Sequence, residues 1–190
     1  MRKVILSMQV SLDGFTVEPN GEMDWISVDD EVWEYVNHQL KSVDTFLLGR
    51  VTYQQWENYW PAALTNPSST KNEIEFSRLA DKTQKIVFSR TLKKVDWKNT
   101  RLVKENIAEE IAKLKQQPGK NLVLSGGAGL ASTFMKLGLI DEYRILVNPV
   151  VLGSGRPLFK DIKDRLNLKL LETKTFNTGV VGLAYQPAEK

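Results

Sequence analysis

The segment Leu122-Val-Leu-Ser-Gly-Gly-Ala-Gly-Leu130 constrains this chain more than any other. An apolar run with strand character ends in three glycines within four positions, and a helical pattern through Leu130, Phe134 and Leu137 follows at once. Glycines at such a turn let backbone N–H groups approach a ligand without Cβ interference, at the positive end of a helix dipole. That arrangement suits a diphosphate, so the chain is expected to bind a phosphorylated cofactor.

The rest of the sequence repeats the same alternation. Val4 to Val10 reads as a first strand, stopped by Ser11-Leu-Asp-Gly14, and a helix over about Asp30 to Leu40 carries Val32, Val36 and Leu40 on one face. Thr45 to Leu48, Lys85 to Phe88, Arg101 to Val103 and Glu142 to Val147 read as further strands. Between them lie an aromatic helix that Pro61 is expected to end, a polar helix with Ile74 and Leu79, and a helix after Asn106. Asn106 and Glu109 have the spacing of a capping box. Near the C-terminus Leu166, Leu168 and Leu170 alternate, the Leu170-Leu171 pair shifts the phase as a bulge would, and Asn177-Thr-Gly179 leads to Val181, Leu183 and Tyr185. The expected fold class is α/β: one domain over residues 1–190, with a mainly parallel sheet and a C-terminal antiparallel hairpin.

Composition narrows the function. The chain has no cysteine and one histidine, His38, too few ligands for a thiolate or histidine metal site. A net charge of +3 with lysines and arginines spread among acids speaks against nucleic acid and permits an anionic small ligand. The N-terminal apolar run is interrupted by Ser7 and Gln9, and no run approaches a membrane span. A cytoplasmic location is the expectation.

Three strand ends carry residues suited to a dinucleotide: Gly49-Arg50-Val51-Thr52, Ser89-Arg90, and Ser125 followed by Gly126, Gly127, Ala128, Gly129 and Leu130. Ligands of open α/β sheets sit beyond the carboxyl ends of the strands, so these turns can converge on one crevice. Ser89-Arg90, with no acid to hold a ribose 2′-hydroxyl, favours a 2′-phosphate and hence NADPH. The aromatic residues Tyr53, Trp56, Tyr59 and Trp60 can be read as a substrate wall or as core.

These residues, with Val10-Ser-Leu-Asp-Gly-Phe15 and Asn148-Pro-Val-Val-Leu-Gly-Ser-Gly-Arg-Pro-Leu-Phe159, resemble the dihydrofolate-reductase-like superfamily. The resemblance is nearest to the C-terminal reductase domain of the riboflavin-biosynthesis protein RibD. It implies a sheet of about eight strands with helices on both faces, NADPH as cofactor, a homodimer, and a ribosylaminopyrimidine-like substrate or, alternatively, a folate-like or small carbonyl one. Carried over by position, it sets Gly49, Arg50 and Thr52 at the cofactor phosphates, Ser89 and Arg90 at the 2′-phosphate, and Gly126-Gly127 as a glycine pair often joined by a cis peptide. The loop after Ser11 becomes a lid hinged at Asp13 and Gly14.

The resemblance also has departures. Trp25 to Asp30 reproduces the spacing from tryptophan to the dihydrofolate reductase acid, but the aromatic expected four residues further on is Glu34, whereas Trp33 stands four after Asp29. Asp30 is therefore the expected acid and Asp29 the second choice, each equally readable as a first-turn helix residue. The arginine that would clamp a glutamyl carboxylate falls on Thr83, and the zinc ligands of the deaminase half of the bifunctional enzyme are missing. A stand-alone NADPH-dependent reductase is the resulting expectation. A non-catalytic NADP-binding module is its rival.

Overall fold

The computed structural model describes residues 1–188. The elements run β1 (Val4–Ser11), β2 (Phe15–Val17), α1 (Asp30–Leu40), β3 (Val43–Gly49), α2 (Arg50–Ala63), α3 (Lys71–Lys82), β4 (Gln84–Phe88) and β5 (Thr100–Val103). They continue α4 (Ile107–Gln116), β6 (Asn121–Leu124), α5 (Ala128–Lys136), β7 (Glu142–Asn148), β8 (Arg156–Pro157), β9 (Leu168–Thr175) and β10 (Val181–Pro187). Eight strands form one sheet in the order β5-β4-β3-β6-β1-β7-β10-β9. All pairings in it are parallel except those of β10, which runs antiparallel to both β7 and β9.

The central strands are apolar on both faces because both are covered. Leu47, Ile86, Leu122 and Leu124 join a core with Ile111 and Leu114 of α4 and Phe134 of α5. Their neighbours Phe46, Leu48, Val87 and Val123 point the other way, into a core with Leu40, Tyr53 and Phe76 from α1, α2 and α3. Period-two alternation thus puts α4 and α5 on one face and α1, α2 and α3 on the other.

The hairpin forms as expected. Ala184 pairs with Glu172 but Tyr185 pairs with Leu170, so Leu171 is the extra residue of a bulge. Three local expectations are corrected. Pro61 lies inside α2, which runs on to Ala63, because a proline within the last turn removes only one terminal hydrogen bond. Asn106 makes no capping bond, since its left-handed backbone (φ 56°, ψ 46°) turns the side chain away from the helix start; the capping box belongs instead to Thr70 and Glu73 of α3. No cis peptide occurs among the described residues, so Gly126 and Gly127 are joined in trans, with the turn made by the positive φ of Gly127 (79°). A two-stranded ribbon, β2 with β8, carries no strong sequence signal because its strands are three and two residues long.

Lys85 is an unusual core residue, with 0% exposure at the start of β4. Its Nζ donates to the carbonyls of Ala80 (2.6 Å) and Thr83 (2.9 Å) at the end of α3, and lies 4.1 Å from the Trp97 ring centre. Burial pushes its pKa down to about 8 from 10.5. Between those values the unfolded chain binds the proton more tightly, so stability rises with pH across that window. Tyr143, whose pKa burial raises to about 12, acts oppositely above pH 10, where the unfolded chain loses its proton first. Denaturant melts are therefore expected to show stability climbing from pH 8 to pH 10, and the climb should disappear in Lys85→Met.

Candidate active site

The crevice arises from the strand order. From β3 the chain moves outward through β4 and β5, and α4 then returns it to place β6 between β3 and β1. The helices that follow the neighbouring strands β3 and β6 leave on opposite faces: α2 packs with Phe46 and Leu48, α5 with Leu47 and Leu124. Their N-termini part around the strand ends, which is where open α/β sheets bind ligands.

Two cavities flank this point. A groove of about 550 Å³ is lined by Gly49, Arg50, Ser89, Arg90, Gly129 and Leu130, with Lys104, Glu105 and Asn106 on its far side. A second cavity of about 460 Å³ takes in Thr52, Gly126, Gly127 and Ala128. All ten residues expected at the cofactor thus line one cavity or the other, and the two meet across the segments Gly49–Thr52 and Gly126–Leu130.

The glycines differ in what they permit. A Cβ on Gly126 would sit 2.5 Å from Thr52 Cγ2, so the turn closes tightly over α2. One on Gly129 would meet nothing within 4 Å, leaving a backbone cradle open to the groove. The helix termini differ in a related way. α1, α3 and α4 carry acids in their first turns (Asp30 and Glu31; Glu73; Glu109 and Glu110), whereas α2 and α5 carry none. α2 even begins with Arg50, against its own dipole. The two helix ends that meet at the crevice are thus left positive, as an anion would require.

The cations are available as well. Among the described residues Arg90 makes no ion pair or side-chain hydrogen bond, and Arg50 makes only a 3.2 Å bond to Gln54 Oε1. Ser89 Oγ accepts from the amides of Leu92 (3.0 Å) and Thr91 (3.3 Å), which turns the chain after β4 and presents Arg90.

Over the second cavity, the segment after Ser11 is anchored at both ends. Buried Ser11 donates to Asp13 Oδ1 (2.7 Å), and the Asp13 carboxylate accepts from the amides of Gly153 (2.7 Å) and Leu152 (3.1 Å). The Ser11 hydroxyl and these amides hold the Asp13 pKa below its ordinary value, against a smaller opposing push from burial. Gly14 supplies the positive φ of the turn (86°), and β2 pairs with β8. Gly155 faces that ribbon so closely that a Cβ would fall 2.2 Å from the Val17 carbonyl oxygen. Thr16, Val17, Gly21 and Met23 roof the cavity. Trp25, expected beside the substrate, is half-buried but is not a lining residue.

The acids also lie elsewhere. Asp29 is the N-cap of α1 and accepts from the Val32 amide (2.9 Å). Asp30 is exposed and accepts from Asn72 Nδ2 (2.7 Å). Neither lines the cavity, because Asp29 turns back to its own helix and Asp30 outward to Asn72. Asp29→Ala is expected to cost about 1 kcal/mol of stability by loss of the cap, seen in a thermal melt, with no change in ligand affinity.

The aromatic cluster divides. Tyr53 is core, and its hydroxyl accepts from the amides of Asp96 and Trp97. Tyr59 is exposed, while Trp56 and Trp60 are both packed on the core and part of the cavity wall. Trp33, Met8, Gln9, Gln55 and Arg156 also line the cavity and were not expected there. The available signal was Ser7 and Gln9, two polar residues in a central strand that otherwise reads as buried.

A model of the RibD C-terminal domain matches residues 2–182. The chain belongs to the RibD C-terminal domain family. The uncharacterized protein YyaP of Bacillus subtilis is 43% identical over 184 residues, covering 97% of this chain and 94% of YyaP. Among solved structures, a putative riboflavin biosynthesis protein from Shewanella superposes with a TM-score of 0.76 at 22% identity, each chain covered completely. A Thermotoga maritima protein described as a deaminase and 5-amino-6-(5-phosphoribosylamino)uracil reductase gives a TM-score of 0.69 at 16% identity, covering 98% of this chain and 57% of that one. Both superpositions support the fold expected from the sequence. No helix among the described residues is long and apolar enough to cross a membrane.

Proposed function

We propose that the chain is an NADPH-dependent oxidoreductase acting on a small heterocyclic or carbonyl substrate. The observation that carries this reading is the pairing of a cationic groove with a tryptophan-walled cavity across one glycine ridge. The groove suits the adenosine phosphates: Arg90 would read the 2′-phosphate, Arg50 and the open backbone at Gly129 would hold the diphosphate, and the α2 and α5 termini would complement its charge. When bound, the nicotinamide supplies a hydride. Gly126 and Gly127, which line the second cavity, would hold the nicotinamide end, and the β2–β8 ribbon over that cavity would exclude water.

Among the described residues no carboxylate lines the second cavity. We therefore assign the proton to water at its polar edge by Ser7, Gln9 and Gln55 rather than to Asp29 or Asp30. Asp30→Asn is expected to leave turnover unchanged.

A non-catalytic NADP-binding module would use the same groove but has no need of the second cavity. Loss of absorbance at the nicotinamide band, with NADPH and a panel of pyrimidine, pterin and aldehyde compounds, separates the two readings. Cofactor binding without turnover on any of them favours the module. No binding of NADPH at all removes both.

A homodimer through the C-terminal hairpin is part of this proposal. β9 is the edge strand, paired with β10 on one side and open on the other, with Leu170 and Leu171 50% and 46% exposed, more apolar edge than a monomer ordinarily leaves uncovered. Light scattering is expected to return twice 21.6 kDa, and the mass of one chain at micromolar concentration would reject it.

A further inference from the structure

The charges of the two cavities are segregated. The groove has Arg50, Arg90 and Lys104 against one acid, Glu105, but the second cavity has, among the described residues, one ionisable lining residue, Arg156, which is exposed on β8. Its wall is formed by Trp33, Trp56 and Trp60, with Phe76 behind. Trp33 and Trp56 each meet Trp60 edge-to-face, at 88° and 85°, so the indoles are mutually braced. A phosphate placed against this wall would lose water without gaining a cluster of cations, a large desolvation cost. A flat, uncharged ring loses little and gains stacking area.

One polar group is oriented without ambiguity. The backbone amide of Ser27 can only donate, and it donates to the side-chain oxygen of buried Asn148 (2.9 Å). This fixes which end of the Asn148 amide is nitrogen, and that nitrogen donates to Gln9 Oε1 (3.0 Å). The Gln9 oxygen is thereby turned toward Asn148, and its Nε2, without a hydrogen-bond partner among the described residues, remains as a donor at the cavity that Gln9 lines.

From this geometry we infer that the second cavity selects an uncharged, planar aromatic or heteroaromatic substrate without a phosphate, which presents a carbonyl oxygen or ring nitrogen to Gln9. The inference rests on the reductase reading for the nature of the site. It differs from the phosphoribosyl substrate named for the Thermotoga protein. Gln9 is its specificity-determining residue, and Asn148 positions Gln9.

The test uses the full chain, first titrated with NADP⁺ so that cofactor binding is judged separately. Three probes are then compared by calorimetry, with and without NADP⁺: quinazolin-4-one (neutral, with an acceptor), naphthalene (neutral, without one) and uridine 5′-monophosphate. Quinazolin-4-one is expected to bind at least about tenfold more tightly than either of the others. Its affinity should change little with salt, since no ion pair is formed. Gln9→Glu, nearly isosteric, keeps an acceptor for Asn148 but removes the donor, and is expected to weaken quinazolin-4-one about tenfold while sparing naphthalene. Gln9→Leu should behave alike, and a wild-type melting curve for either variant suffices for the comparison.

Tighter, salt-sensitive binding of the nucleotide would overturn the inference. So would unchanged quinazolin-4-one affinity in the Gln9 variants, or failure of both neutral rings to bind. Failure of NADP⁺ alone would count against the cofactor reading, with the probe ranking on the free protein still deciding this one.

Discussion

Gly129→Leu is expected to separate folding from cofactor binding by moving them in opposite directions. Gly129 lies in the first turn of α5 with room on every side of a built Cβ. A leucine there strains nothing, and it improves helix propensity by up to about 1 kcal/mol. The melting temperature should therefore stay the same or rise slightly. The new side chain projects into the groove shared with Arg50, Ser89 and Arg90, where it takes the volume proposed for the diphosphate. NADPH affinity should fall by at least about 100-fold, a cost of the size found when a packed space is overfilled and charged hydrogen bonds are lost. Titration by nicotinamide fluorescence, beside a melt of the same sample, checks both halves. Intact NADPH binding would place the cofactor elsewhere. Gly126→Val makes a poorer test, because its clash with Thr52 would disturb the fold as well as the site.

Arg90→Ala is expected to lower NADPH affinity by about 1.5–3 kcal/mol, the range of a hydrogen bond to a charged group, while leaving NADH nearly unaffected. The guanidinium is exposed and has no other partner among the described residues, so its removal breaks nothing in the fold. The expected result is thus a collapse in cofactor selectivity at constant stability. Parallel losses for both cofactors would move Arg90 from the 2′-phosphate to the diphosphate.

Much of the lining of the crevice could be anticipated because its determinants are local. A strand ending in glycines and opening a helix specifies its own turn, and the Ser89-Arg90 strand end and the Leu170-Leu171 phase shift are equally self-contained. The sequence was least decisive where a local pattern had two possible partners. Asn106 and Glu109 have capping spacing, but a left-handed Asn106 cannot use it. Asp29 and Asp30 have nearly the spacing of a catalytic acid, yet helix capping and Asn72 claim them. Whether Trp56 and Trp60 were core or wall had no local answer, since a half-buried indole can be both.

The sequence by itself determined the alternation of strands and helices, the bulged C-terminal hairpin and the glycine turns, because each depends on neighbours within a few residues. Only the tertiary structure decided that α4 carries the chain back so that β6 enters between β3 and β1. That return parts the N-termini of α2 and α5 around one crevice and separates a cationic groove from a nearly uncharged cavity. It also decided the orientation of Gln9 through Asn148, 139 residues away. Side chains so distant acquire a common role only when the sheet sets them side by side, and no local propensity encodes that contact.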